Sequence, residues 1–168
     1  GDIQTGKQKN IAGKTVDKYI TMLRNAFVFF SVGRYDVKGK QLLKTLGKNF
    51  IIDMGFRNLL LGCRDADRGH ILENIVFLEL LRRGYTVTVG KSGDKEIDFV
   101  CERRSEKIYV QVAYLLASEE TAGREFGVYD SIRDNFPKYV VSLDEFDMSR
   151  NGIKHRNIRD FLLAETWD

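Results

Sequence analysis

The chain has 168 residues, 43% of them hydrophobic and 30% charged, with a formal net charge of +3. That profile is globular, and the length suits one comfortable domain or two small ones. No apolar run approaches the roughly 18–20 residues needed to span a bilayer, and no signal peptide opens the chain, so a membrane partner is not expected. Cys63 and Cys101 stand far apart and outside metal-ligand spacing, which suits small apolar fillers in a reducing cytoplasm.

The charge is uneven. Up to Gly62, 11 Lys and Arg face 4 Asp and Glu, a net of +7; from Cys63 onward 16 face 20, a net of −4. A basic front half points to a polyanionic partner. The opening residues suggest a fragment boundary, because the chain starts at Gly1 without Met. Gly1, Gly6 and Lys7 imitate a phosphate-binding loop, but Gln8 stands where a hydroxyl should hold magnesium, and no strand precedes it, so the match is rejected.

Residues 1–14 read as a polar lead-in, and Thr15 as the cap of a helix to about Ala26 with Val16, Tyr19, Ile20 and Leu23 on its apolar face. A strand is expected from Phe27 to Val32, a basic turn from Gly33 to Gly39, and a short helical piece bearing Leu42, Leu43 and Leu46. Lys48 to Asp53 returns as a strand, and Met54 to Leu61 as a helix stopped by Gly62. Helix, strand, basic turn, strand is the order of a winged-helix module without its first helices. Arg34, Lys38 and Lys40 would form the wing, with Lys14, Lys18 and Arg24 on the exposed side of the helix, all facing nucleic acid. A small packing subdomain with a charged surface satisfies the same pattern.

A boundary is expected at 62/63, between a basic 1–62 and a second unit at 63–168. His70 to Arg83 is a strongly apolar helix, in which Glu73 shares a face with Val76, Phe77 and Leu80. An unpaired carboxylate there is costly, so Glu73 either pairs with Arg83 or Lys91 or belongs to a site. Gly84 stops the helix, Tyr85 to Val89 alternates as a strand, and Gly90 to Lys95 turns.

Glu96 to Cys101 and Ile108 to Ala113 then read as the arms of a hairpin about a charged turn at Arg103 to Lys107. A turn centred between Ser105 and Glu106 sets Asp98 across from Ala113, with Gln111 on the diagonal, and places Glu96, Asp98, Val100, Tyr109, Gln111 and Ala113 on one face. Ser118 caps a helix to about Asp134, Lys138 to Leu143 is a strand, and Ile158, Phe161, Leu162 and Leu163 form an apolar cluster before Trp167.

The order from His70, an αβββαβ run with Asp on its second strand and Gln-x-Ala on its third, resembles the α/β core of PD-(D/E)XK, or restriction-endonuclease-like, nucleases. The resemblance implies a divalent metal held by the Asp and the next acidic residue, a Lys that orients water, and a Glu on the first helix. By position these are Glu73, Asp98 and Gln111 as the catalytic set, with Asp98 as the metal ligand and Ala113 at the Lys position. The wider set is Tyr35-Asp36-Val37-Lys38-Gly39-Lys40, Asp53-Met54-Gly55-Phe56-Arg57-Asn58, Glu73-Asn74, Arg82-Arg83-Gly84-Tyr85 and Glu96-Ile97-Asp98-Phe99. Taken together these motifs are similar to the C-terminal region of unknown function of prokaryotic AAA+-type ATPases. That resemblance implies a winged-helix part before a nuclease-like part, and an upstream ATPase module to which ATP would belong.

The departures bear on chemistry. A metal-dependent phosphodiesterase needs anionic oxygens for magnesium and a base or oriented water. Gln111 offers a neutral amide and Ala113 nothing; losing one such element costs several kcal/mol in the transition state. Lys91 and Lys95 are the candidates for a migrated Lys. The expectation is a nucleic-acid-binding accessory module, with duplex DNA and the ATPase module as partners and a degenerate nuclease fold. The alternatives are a magnesium-dependent DNase with a rearranged site and a purely structural docking module. The discriminating question is whether any Lys reaches Asp98.

Overall fold

The computed structural model describes residues 13–62 and 64–167; most of the lead-in, the loop lookalike at Gly1 to Gln8, and Cys63 lie outside the described residues. Helix α1 (Gly13–Asn25) leads into strands β1 (Phe29–Asp36) and β2 (Gln41–Ile51), then α2 (Met54–Leu61) and α3 (Arg68–Arg82). Strands β3 (Thr86–Ser92), β4 (Lys95–Arg103) and β5 (Glu106–Val112) follow, then α4 (Glu119–Gly127), β6 (Lys138–Ser142), β7 (Lys154–Asn157) and α5 (Ile158–Leu163). The architecture is mixed α/β, and the expected run of helix, three strands, helix and strand is present from α3 to β6. No helix among the described residues is long and apolar enough to cross a membrane.

All seven strands among the described residues join one sheet in the order β2-β1-β3-β4-β5-β6-β7. β1 and β3 pair in parallel, from Arg34 opposite Val89 to Asp36 opposite Lys91, so the ladder runs straight across the expected boundary at 62/63. The core does the same: Val32 and Phe50 from the front half pack with Phe77, Phe99 and Val110. Residues 1–62 and 63–168 therefore do not mark separate sheets or cores. Phe77 is the keystone, stacked on Phe50 at a centroid distance of 4.2 Å and flanked by Phe30 and Phe99 at 5.9 and 6.0 Å. Each buried ring of this kind is worth about 1.5–3 kcal/mol in transfer free energy alone.

The sheet has two covered faces. α3 and α5 lie on the one formed by Val87, Val89, Phe99, Cys101, Ile108, Val110, Tyr139 and Val141. α4 lies on the other, against Ile97, Val100, Tyr109, Ala113 and Val140. Asp53 and Ser118 cap α2 and α4 by accepting from Gly55 N–H and Thr121 N–H.

Three local expectations are corrected. Residues 41–51 form a strand throughout, because a tight turn at 37–40 places Gln41 opposite Asp36 and the ladder outweighs the helical spacing of the leucines. The basic turn is shorter than expected, since β1 continues through Gly33 and Arg34 to Asp36. Finally, the β4–β5 turn is centred between Arg104 and Ser105, with Arg104 at φ 54°, so that Phe99 faces Val110 and the register moves by two.

Candidate functional site

Two irregularities in the sheet build the site. Between Val32 opposite Lys48 and Arg34 opposite Leu43, β1 advances two residues while β2 advances five, so β2 bulges just before Lys48. Gly47 permits it: a Cβ there would lie 1.9 Å from the Val32 carbonyl oxygen. The second bulge lies in β4. Thr88 faces Val100 and Gly90 faces Ile97, so Asp98 and Phe99 together oppose Val89. Strand alternation is broken there, and Asp98 turns to the α3 side with Phe99 while Ile97 and Val100 pack toward α4. Gly90 accommodates the kink, since a Cβ would meet Val100 Cγ2 at 2.7 Å.

The bulge leaves backbone groups that side chains satisfy. The Asp98 carboxylate accepts from Val112 N–H at 2.9 Å through Oδ2, and the Asp98 N–H donates to Gln111 Oε1 at 3.1 Å. Gln111 sends its other end to α4, where Nε2 donates to Glu125 at 3.0 Å. Gln111 thus lies opposite Asp98 and supports its backbone, but its amide does not join the carboxylates. Ala113 is buried in the apolar cluster beneath α4. The expectation that Asp98, Gln111 and Ala113 line one face is corrected, because the bulge rotates Asp98 alone.

A lysine does reach Asp98, from the front half of the chain. Lys48 Nζ lies 2.8 Å from Glu73 Oε1, 2.8 Å from Glu96 Oε1 and 3.4 Å from Asp98 Oδ1. Arg34 closes the other side by pairing with Glu96 Oε2. His70 Nδ1 stands 3.8 Å from the second Glu73 oxygen. Asn74, next to Glu73, clips the end of β2 to α3: its Oδ1 accepts from Ile51 N–H at 2.9 Å and its Nδ2 donates to the Ile51 carbonyl at 2.8 Å. That clip sits three residues from Lys48 and holds the strand that aims it.

The charges nearly cancel. Burial, reinforced by the Glu73 carboxylate, raises the Asp98 pKa to about 7. Burial alone would lower the pKa of Lys48, but Asp98, Glu73 and Glu96 outweigh it and raise that pKa well above the usual lysine range. Glu96 is held below the ordinary carboxylate range by Lys48 and Arg34, against the opposing effect of burial. Two cations, Arg34 and Lys48, thus meet three carboxyl groups, of which Asp98 is the one pushed toward its neutral form.

The other expected residues separate. Glu73 and Asp98 meet at Lys48, whereas Lys95 donates to the Gly127 carbonyl at 2.6 Å, and Lys91 is exposed. Arg83 pairs with Glu79, not with Glu73. Lys14, Lys18, Arg24, Lys38 and Lys40 are exposed, as a binding surface requires. Arg34 is drawn inward. Lys48 was the residue missed, while Arg34 was assigned to the wing and Glu96 was set beside Asp98 without a role. The available signal was alternation: Lys48 shares a strand face with Phe50, an apolar residue that must point inward.

A second polar cluster, Ser142, Asp144 and His155, combines the residue types of a nucleophilic triad. Met148 N–H donates to His155 Nδ1 at 3.3 Å, and His155 Nε2 and Ser142 Oγ share a hydrogen bond of 2.8 Å. Ser142 donates to Asp144 Oδ2 at 2.7 Å. Ser142 and His155 are both buried, and the network ties β6 to β7.

The chain is 39% identical over 160 residues to an uncharacterized protein of Haemophilus influenzae, an alignment covering 95% of this chain and 39% of that protein. It is 30% identical over 154 residues to an uncharacterized protein of Methanocaldococcus jannaschii, covering 89% of this chain and 34% of that one. The chain therefore spans about two fifths and one third of these curated relatives. No family model and no solved structure matches it.

Proposed function

We propose that this region is a binding accessory module of an AAA+-type ATPase, built on a restriction-endonuclease-like core that the β1–β2 hairpin extends and whose acidic site is closed by its own lysine. One observation carries the reading: the Lys48 ammonium occupies the point on which Glu73, Glu96 and Asp98 converge. A divalent cation would need that point and a surplus of negative charge. The residues as arranged do not fit one, because the Lys48 ammonium already fills that point and Arg34 holds Glu96, and no step is routed through a metal. ATP belongs to the part that the longer relatives carry outside the matched region. Duplex DNA is the partner of the exposed Lys14, Lys18, Arg24, Lys38 and Lys40, and the cytoplasm is the compartment.

The test pairs two measurements. Binding of a fluorescent duplex to the chain is expected at low salt and should fall steeply as salt rises. Combined Ala substitution of Lys14, Lys18, Arg24, Lys38 and Lys40 should flatten that dependence, and unchanged binding would sink the DNA role. Plasmid DNA with magnesium or manganese should remain uncut, and Lys48→Met should bind manganese more tightly than wild type. A second reading, an active DNase, is favoured by the 3.4 Å approach of Lys48 to Asp98. It wins if wild type cuts and both Lys48→Met and Asp98→Asn abolish cutting.

A further inference from the structure

Beside the candidate site the surface changes character. A cavity of about 530 Å³ opens between the end of β2, α2 and the start of α3, with Lys48 and Glu73 at its margin and Phe29, Phe50, Ile51, Met54, Leu60 and Leu61 in its walls. The outer face of α2 continues this apolar surface: Leu59 is 81% and Leu60 78% exposed, and Phe56 and Leu61 are more than half exposed. No residue of α2 is buried. α1 leaves the same end of the sheet, since Phe29 pairs with Ile51 and Ile52 N–H donates to the Val28 carbonyl. It too buries nothing, and of its expected apolar stripe Val16, Tyr19 and Leu23 are exposed and Ile20 is half-buried.

Contiguous apolar surface of this kind marks an interaction site. Leucines and phenylalanines offer no contact to phosphates, so this face does not belong to the DNA-binding surface proposed above. It is also concave, which suits side chains inserted from a polypeptide better than a flat lipid surface.

We infer that this cavity, with the outer face of α2, is the docking groove for an apolar-anchored segment from the part of the longer polypeptide that lies outside the matched region. The length of the relatives supplies the occupant: about three fifths of the Haemophilus influenzae protein and two thirds of the Methanocaldococcus jannaschii protein lie beyond the match. The inference rests on the accessory-module reading and gives that module its attachment. Docking there would bring the partner against Lys48 and Glu73, so the closed ion cluster would lie at the edge of the joint between modules.

Amide hydrogen exchange on the intact Haemophilus influenzae protein and on its matched region alone tests this. Any 160 aligned residues of this 168-residue chain include both α1 and α2, so each has a counterpart to follow. The counterpart of α2 should exchange at least tenfold more slowly in the intact protein, while that of α3 should not differ. Equal α2 exchange in both would overturn the proposal. So would concentration-dependent dimerisation of the 168-residue chain that protects α2, or its sedimentation with phosphatidylserine vesicles. ATP binding by the intact relative is scored separately. Its absence sinks the ATPase reading and leaves a protected α2 standing as a joint to some other module, whereas ATP binding with an unprotected α2 sinks the groove alone.

Discussion

α2 and α3 are both rich in leucine and phenylalanine, and they meet opposite fates. α3 buries seven of its residues, including Leu72, Val76, Phe77 and Leu80, against the sheet and α5. α2 buries none. Composition alone does not distinguish them; what does is whether a sheet face waits beneath the helix. The stability of the fold is concentrated under α3, while the helices at the open end of the β1–β2 hairpin contribute surface. The widest separation between the two should come from alanine substitution. Phe77→Ala should cost about 3–5 kcal/mol in urea denaturation. Leu59→Ala should cost no more than about 0.5 kcal/mol, as at an ordinary exposed site. Similar losses at both positions would dissolve the contrast.

The ion cluster sits on the seam between these regions, and its removal should come next in size. Lys48→Ala leaves Glu73, Glu96 and Asp98 without their shared cation, and should cost about 1–3 kcal/mol, the penalty for a buried group left unsatisfied. The cost should be larger at pH 8 than at pH 5, because carboxylates that can take up protons no longer repel. In the wild type the Asp98 carboxyl is raised to about 7 when folded, against about 3.9 unfolded. The folded state binds the extra proton between those values, so this contribution is full below the unfolded pKa and is lost as pH rises to about 7. Asp98→Asn should abolish that slope in a pH series of denaturation midpoints. A slope that persists would assign the titration to another group.

Asn74→Ala probes the clip that aims Lys48. It removes two hydrogen bonds to Ile51, and should cost about 1–2 kcal/mol. If the seam is as described, amide exchange should quicken in β2 and α2 and stay unchanged in β4 and β5. Uniform quickening would mean that the hairpin and the core open together.

Much of this arrangement was legible in the sequence where the causes are local. The α3 pattern, the Ser118 cap, the stop at Gly62 and the pairing of the two strands around Asp98 follow from periodicity and turn chemistry. Three things were not. The β4–β5 turn was placed one residue late, which moved Ala113 opposite Asp98 in place of Gln111. The bulge at Asp98 and Phe99 depends on the neighbouring strand, and nothing in the β4 sequence announces it. Lys48 reaches Asp98 only because β1 pairs in parallel with β3 and brings the front hairpin into the sheet, a contact across 50 residues that no spacing encodes. For the same reason Gln111→Glu with Ala113→Lys would not rebuild a metal site, since Gln111 turns to Glu125 and Ala113 packs beneath α4.

The smallest expected effect sharpens the contrast between the two ends of the sheet by reversing its sign. At the β6–β7 edge the buried polar group is a neutral histidine. Burial lowers the pKa of His155, while the carboxylates of Asp144 and Asp147 oppose that shift and Arg156 adds to it. The unfolded state therefore takes up a proton at a higher pH than the folded state does. Stability from this group is full above the unfolded value of about 6.5, and declines as pH falls from there to the lower folded value. His155→Gln keeps a donor for Ser142 and cannot titrate. Its denaturation midpoint should lose the acidic decline while the Asp98-dependent slope remains. The opposing carboxylates make this the weakest of the four effects, best read as the difference between two pH series and not from either alone. Should His155→Gln instead flatten the slope assigned to Asp98, the two ends of the sheet would be one titrating unit, and the division between a charged seam and a neutral edge would fall.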